Sequence, residues 1–379
     1  MAAKRENERV WRRRDEIFMD RAIELAWWGA GHTDPNPMVG AVLVRDGVIV
    51  GEGVHRRAGT AHAEVIAIDE AGSEAEGATL YTNLEPCSHF GKTPPCVDKI
   101  TASGVERVVV ATRDPFPEVR GRGLAKLRSA GIEVEVGVLK EKALLLNLGY
   151  FKRYTIGEEA AVTLKAAVSM DGKVAPSEGE RGRITSEEAK LWGQRLRAAH
   201  KAILVGIDTI LVDDPRLDCR FLGDVPAPVP AVLDPRLRFP ESHEWLGKRR
   251  FYIFTGENAP DGKAFFLEES GAKIVRSAVD GGRIDVAGVL KVLYADGIDS
   301  VMVEGGAKTL TGFIENSCWD ALCLFVGPKL FGKRGVSLFQ ADHAENPEVI
   351  PAGSLSIGGD YLLTYLHRER AERILAAVS

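Results

Sequence analysis

HAEVIAIDEAG (residues 62–72) and LEPCSHFGKTPPC (residues 84–96) gather one histidine, one glutamate and two cysteines into two short segments. The whole chain has only five cysteines and eight histidines, so the concentration carries information. A catalytic zinc ion usually takes three protein ligands and keeps a fourth position for water. His62, Cys87 and Cys96 offer one nitrogen and two thiolates, which suits that count and neutralises a dication. His62 and Cys87 both stand near expected helix starts, where the helix dipole favours thiolate over thiol. Glu64, two residues after His62, is placed to take a proton from a metal-activated water and to pass it on.

Each piece alone has a plainer reading. Two cysteines with eight residues between them are as compatible with a core pair as with a metal site, and a lone histidine is usually structural. A structural zinc would want a fourth protein ligand, which His89, two residues beyond Cys87, could supply. Cys219, Cys318 and Cys323 read as core residues.

Working outward, a helix is expected from Asp15 to Trp28, behind a charged leader at residues 1–14. VGAVLV and VIVGEGV flank RDG as a hairpin with Gly47 in the turn. His62 opens a helix, and ATLYTNL, RVVVAT and IEVEVG read as strands separated by helices. NLGYFKRYTIGEEA, from Asn147, has no clear period and is read as the break between domains. Beyond it AVTLKAAVSMDG opens a second alternating series, with HKAILVG, PVPAVLD, RRFYIFT, AKIVRSA, SVMVEGG and ALCLFVGPKL as strands. A capping box, Thr185 with Glu188, is expected to open the helix in TSEEAKLWGQRLRAA. Alternating strands and helices define an α/β class in both halves, divided as 15–148 and 159–379.

The chain of 379 residues suits two domains, and a formal charge of −5 argues against a bulk-electrostatic nucleic-acid binder. Few, odd-numbered cysteines indicate a reducing compartment, and the N-terminus lacks the apolar run of a secretory signal. No stretch reaches a membrane span. The cytoplasm is the expected location.

His-x-Glu followed by Pro-Cys, Pro86 included, is the order found in zinc nucleobase deaminases, although their cysteines have two residues between them rather than eight. PNPMVGAVLV, GEGVHRRAGTAHAEVIAI, LEPCSHFGKTPPC and GIEVEVGVL resemble the deaminase half of the bifunctional riboflavin-biosynthesis deaminase–reductase family, whose members carry the same long insertion between the cysteines. SMDGK, ITSEEA, LRAAHKAILVGIDTILVDDPRL and VMVEGGAKTL resemble its reductase half. The resemblance implies a zinc cytidine-deaminase-like α/β/α sandwich followed by a dihydrofolate-reductase-like α/β domain using NADPH. It implies a diaminopyrimidinone substrate carrying a phosphoribosylamino group, deaminated and then reduced to a ribityl chain. Asn36, His55, Lys92 and Asp114 match positions that hold the deaminase substrate. Lys165, Arg197, Leu217, Arg220 and Glu304 match reductase-substrate positions. Ala167, Thr209, Asp213, Gly306, Ala307, Lys308 and Thr309 match cofactor positions. The resemblance also implies a homo-oligomer. EGGAKTL is not the dinucleotide fingerprint, but its glycines precede a helix start able to meet phosphate.

The family pattern is not kept throughout. Phe116 stands in DPFP where the family usually has asparagine. Arg181 and Arg183 replace a serine and a tryptophan, and Pro235 occupies the place of a cofactor-binding serine. Two other readings therefore stay open: a deaminase with a reductase-like domain serving assembly or regulation, and a non-catalytic zinc-stabilised binding module.

Overall fold

The computed structural model describes residues 2–91, 94–178, 180, 182–340 and 347–379, with side chains from residue 13 onward. It comprises two compact units, one formed by Met1–Thr155 with Ala371–Ser379, the other by Ile156–Arg370. The division differs from the sequence reading at the C-terminus, where Ala371–Ser379 groups with the first unit.

In the first unit the order is α1 (Ala2–Ala26), β1 (Gly40–Arg45), β2 (Val48–Val54), α2 (Ala63–Ala71), β3 (Thr79–Leu84), α3 (Cys96–Ala102), β4 (Arg107–Thr112), α4 (Arg122–Ser129), β5 (Glu133–Val136), α5 (Lys140–Leu146) and α6 (Leu148–Thr155). The sheet runs β2-β1-β3-β4-β5. Strand β1 is antiparallel to β2 and β3, whereas β3, β4 and β5 are parallel. Asp46 and Gly47 take φ of 52° and 81°, the primed geometry that matches the twist of the expected hairpin.

Strand alternation makes this a sandwich. Ala41 and Leu43 share a buried core with Ala67 and Ile68 of α2, Val97 and Ile100 of α3, and Leu124 and Leu127 of α4. Gly40, of opposite parity, faces α1, and a Cβ there would stand 2.1 Å from the Ala22 carbonyl oxygen. Strand β2 and helix α2 lie equally close: Cβ atoms on Gly51 and Gly53 would meet the carbonyl oxygens of Ala67 and Ala63 at 2.1 and 1.9 Å. These two glycines let α2 settle against the sheet, and His62 and Glu64 sit at its first turn.

Three expectations change here. The first helix runs Ala2–Ala26, starting well before Asp15, and Trp27–Gly29 form a 3-10 turn. The segment read as an irregular break holds α6, where Leu148 and Phe151 are buried. Charges, Gly149 and aromatic residues blur its period, yet its apolar positions find a core. Cys87 lies in the loop after β3; the cysteine at a helix start is Cys96, the first residue of α3.

The second unit contains β6 (Ala161–Ser169), β7 (Lys173–Ala175), α7 (Glu187–Ala198), β8 (Ala202–Gly206), α8 (Ile207–Asp213), β9 (Val229–Leu233), β10 (Phe251–Gly256), α9 (Asp261–Glu269), β11 (Ala272–Ser277), β12 (Val279–Asp280), β13 (Arg283–Ile284), α10 (Val286–Ala295), β14 (Ser300–Val303), α11 (Ala307–Glu315), β15 (Ala321–Gly327), β16 (Val336–Ser337), β17 (Val349–Ile357) and β18 (Asp360–His367). Helix α12 (Arg368–Ala376) follows and falls largely in the first unit. The nine-stranded sheet has the order β11-β10-β9-β8-β14-β6-β15-β18-β17. Strands β11 to β15 along this order are parallel, and β18 and β17 close the edge antiparallel.

Val162, Leu164, Ala166 and Val168 of β6 join one core with Val289, Leu290 and Leu293 of α10 and Leu310 and Phe313 of α11. The alternate residues Lys165 and Ala167 project to the opposite face, where they line a cavity. Helix α7 covers that face. Its N-cap is Ser186, whose hydroxyl accepts from the Ala189 N–H at 3.2 Å, rather than the adjacent Thr185 expected from the capping box. Cys219, Cys318 and Cys323 are buried, as read. No helix of the described residues is long and apolar enough to cross a membrane.

Candidate functional sites

His62 is the N-cap of α2, and Glu64 lies in that helix's first turn. The loop after β3 brings Cys87 across, and Cys96 opens α3. His62 Nδ1 stands 3.1 Å from Cys96 Sγ and 3.5 Å from Cys87 Sγ. The three ligand atoms lie within 4.8 Å of one another. Ligands roughly 2.0–2.3 Å from a shared ion at tetrahedral angles stand about 3.5 Å apart, so the set fits zinc. His89 is not in this cluster, which among the described residues leaves three protein ligands and an open fourth position. Cys87 is pushed towards thiolate because hydrogen bonds from the Cys96 thiol and from His62 favour its charged form.

Glu64 is 3 % exposed, and its Oε2 has no protein hydrogen-bond partner. Burial pushes its carboxyl above the usual range, a condition suited to holding and releasing a proton. Beside it lies a cavity of about 330 Å³ lined by Asn36, His55, His62, Glu64 and Asp114 among others. His55 Nδ1 donates to the Ala61 carbonyl at 3.2 Å, leaving Nε2 to accept from the Asn36 amide at 3.3 Å. Burial lowers the His55 pKa, so a neutral imidazole satisfies both contacts. The Asp114 carboxylate accepts from the Phe116 N–H at 2.8 Å and the Tyr150 hydroxyl at 2.9 Å. Burial pushes Asp114 up to about 7 against those hydrogen bonds. Lys92 lies outside the described residues.

Three features of this cavity were not found from sequence. Glu85 is buried, and its carboxylate accepts from the N–H groups of Asp114, Gly121, Gly123 and Leu124 at 2.9–3.3 Å, tying the loop after β4 to the cysteine loop. Tyr150 and Tyr154, one turn apart on α6, face the cavity. A tyrosine pair at helical spacing was the available signal, hidden once the segment was read as a break.

In the second unit, Glu304 follows β14 and bridges two cations. Lys165 Nζ donates to Oε1 at 2.7 Å, and Arg197 Nε donates to Oε2 at 2.8 Å. Burial alone would raise the Glu304 carboxyl; the two positive charges outweigh it and hold it at about 2. These residues, with Ala167, Arg183 and Arg220, line a cavity of about 360 Å³. Arg183 pairs with Glu187 at 2.9 Å. Leu217 is buried at a φ of 48°. Arg181 lies outside the described residues.

Thr209 and Asp213 belong to α8, and Gly306 is the N-cap of α11, whose first residues are Ala307, Lys308 and Thr309. Cβ atoms on Gly206 and Gly305 would stand 2.6 and 2.7 Å from the Thr309 side chain. The ends of adjacent parallel strands β8 and β14 thereby converge on the start of α11, whose first N–H groups lack intrahelical partners and suit a phosphate-bearing cofactor.

A three-ligand metal cluster beside a buried glutamate, on a sandwich sheet, defines a zinc-dependent deaminase domain, and the second unit is a reductase-like domain. The family description "Cytidine and deoxycytidylate deaminase zinc-binding region" matches residues 12–112, and "RibD C-terminal domain" matches residues 160–363. The chain belongs to the RibD family of riboflavin biosynthesis and is a bifunctional enzyme, a deaminase followed by a reductase. It is 44% identical over 324 residues to the riboflavin biosynthesis protein RibD of Aquifex aeolicus, covering 86% of this chain and 89% of the relative. The RibD of Bacillus amyloliquefaciens is 45% identical over 320 residues, covering 84% and 85%. Among solved structures, Acinetobacter baumannii RibD superposes with a TM-score of 0.68 at 34% identity, covering 94% of this chain and 99% of that one. A diaminohydroxyphosphoribosylaminopyrimidine deaminase/5-amino-6-(5-phosphoribosylamino)uracil reductase from Thermotoga maritima gives 0.67 at 36%, with the same coverage.

Proposed function

We propose that the first domain deaminates 2,5-diamino-6-(phosphoribosylamino)pyrimidin-4-one and that the second reduces the deaminated product's ribose to a ribityl chain with NADPH. The observation that carries the reading is the His62–Cys87–Cys96 cluster with Glu64 buried beside it at the cavity. A zinc ion held by those three side chains supplies the acidity that makes water nucleophilic near neutral pH. Glu64 accepts the proton that the attacking water loses and delivers it to the ring nitrogen next to the reacting carbon; it then takes the remaining proton of the added hydroxyl and passes it to the amine, which leaves as ammonia as the carbonyl forms. Asn36, His55 and Asp114 read the base, with Lys92 as a point charge for the phosphate.

In the second domain Lys165, Arg197, Leu217, Arg220 and Glu304 bind the sugar phosphate. Glu304 stays ionised and fixes the two cations, while Arg220 meets phosphate. Ala167, Thr209, Asp213 and Gly306 to Thr309 hold NADPH, its phosphates at the start of α11. NADPH bound there would supply the hydride for the ribose carbon bonded to nitrogen, with a proton to the ring oxygen as the sugar ring opens. The enzyme works in the cytoplasm as a homo-oligomer, with neither nucleic acid nor membrane as a partner.

The test uses purified full-length protein. Glu64→Gln is expected to retain zinc and lose deamination by at least about 100-fold, a usual contribution of a positioned proton carrier. It should still oxidise NADPH when given the deaminated intermediate. A Glu64→Gln protein that releases ammonia at the normal rate removes the proposed proton route. Absence of NADPH oxidation in wild-type protein leaves the second domain an assembly or regulatory role.

A further inference from the structure

The deaminase cavity is lined by two unlike groups of residues. One comprises His62, Cys87, Glu64 and the Asn36–His55 pair. The other is aromatic, assembled from three elements: His89 on the cysteine loop, Phe116 after β4, and Tyr150 and Tyr154 on α6. The rings form a continuous set of contacts. His89 and Phe116 have centroids 6.0 Å apart, and Phe116 and Tyr154 meet edge to face at 5.3 Å and 70°. Tyr154 meets Tyr150 at 5.0 Å and 67°. Edge-to-face packing is the geometry aromatic rings prefer, so neighbouring rings hold Phe116 and Tyr154 in place. The wall is also pinned to a polar group, since the Tyr150 hydroxyl donates to Asp114 at 2.9 Å.

Phe116 is the informative member. Where an asparagine would read a base edge by hydrogen bonds, a phenyl ring offers only a flat apolar face and a positive rim. It is half-buried and borders the cavity, so part of the ring is available to a ligand. A diaminopyrimidinone is a planar heteroaromatic ring, and its π face is the surface a phenyl ring can recognise.

We propose that Phe116 and Tyr154 are specificity-determining residues of the deaminase site, gripping the substrate's pyrimidine ring by aromatic contact in place of an amide contact at position 116. The inference rests on the deaminase reading above. Hydrogen-bond readout of the base is left to Asn36, His55 and Asp114, while affinity for the ring is carried by the wall. Tyr154 acts through its ring, and Tyr150 acts as a positioning residue that fixes Asp114 and buttresses Tyr154.

The experiment separates ring character from apolar character. Phe116→Leu and Tyr154→Leu keep an apolar side chain of smaller volume without a π face; Phe116→Tyr and Tyr154→Phe keep the ring. In zinc-replete protein, each leucine variant is expected to raise KM for the pyrimidine substrate roughly three- to tenfold, as loss of one aromatic contact implies. The effect on kcat should be smaller, and both ring-keeping variants should stay near wild type. A second readout does not depend on turnover: in a Glu64→Gln background, substrate binding should produce hypochromism of the pyrimidine absorbance, diminished by Phe116→Leu. Leucine variants with wild-type KM, or with undiminished hypochromism, overturn the proposal. A wild-type enzyme that binds the pyrimidine with hypochromism sensitive to Phe116→Leu but releases no ammonia overturns the deaminase reading and leaves the aromatic grip standing.

Discussion

Glu304 shows how one carboxylate can organise a site. Two cations less than 3 Å away would repel each other without it. Its depressed pKa links folding to pH: the folded state favours the ionised form, so the stabilisation is fully present above the ordinary value of 4.5 and is lost as pH falls towards about 2. Glu304→Gln should therefore destabilise the second unit at pH 7, on the order of 2–3 kcal/mol once its partial exposure is allowed for. The gap between variant and wild type should close as unfolding is measured at successively lower pH between 4.5 and 2. A gap independent of pH would mean that the carboxylate's charge is not what stabilises the site. Residues of this kind were legible in the sequence to different degrees. His62, Glu64, Cys87 and Cys96 stood out because scarce residue types gather in two short segments of the chain. Tyr150 and Tyr154 did not, because their helical spacing went unused once the segment was read as a break between domains. Glu85 was passed over although it sits inside the quoted motif, since its partners, 29 to 39 residues away, are backbone N–H groups.

At the scale of elements, the approach of α2 to β2 governs the metal centre. With Gly53 replaced by alanine, the new Cβ would lie 1.9 Å from the Ala63 carbonyl, against backbone rather than a flexible side chain. The helix must shift, and its first turn carries His62 and Glu64. Gly53→Ala is expected to cost about 1–3 kcal/mol and to lower zinc per chain, with NADPH oxidation unchanged. Metal analysis alongside thermal unfolding checks this; full zinc occupancy at wild-type stability would show that the helix tolerates the displacement. Strand and helix types were largely readable, because alternation and apolar runs identify buried strands. Boundaries were less so: the Thr185–Ser186 choice turns on one residue, where both side chains can cap. The antiparallel pair β17 and β18 went unread because Pro351 and Gly353 interrupt the pattern, and the pairing register shifts between them.

The whole molecule joins two chemistries with independent requirements. The metal ligands all lie in the first unit and the Glu304 cluster in the second. Dialysis against a strong chelator is expected to abolish ammonia release while leaving NADPH oxidation with supplied intermediate within about twofold, and added zinc should restore the first activity. Parallel loss of both rates would show that the reductase depends on the metal-bound fold. The order of the two halves was legible because the single metal-site motif lies in a first alternating series of strands and helices and a second series with different motifs follows it. Which terminal residues belong to which half was not, since that depends on where the chain returns after its last strand.

That return has a consequence for biogenesis. Ala371–Ser379 fold with Met1–Thr155, yet the ribosome makes all of Ile156–Arg370 in between. At about 5–20 residues per second, translation withholds the final helical piece for tens of seconds after the other elements of its unit have emerged. A nascent first unit therefore lacks its last stretch of chain until the second unit has been synthesised.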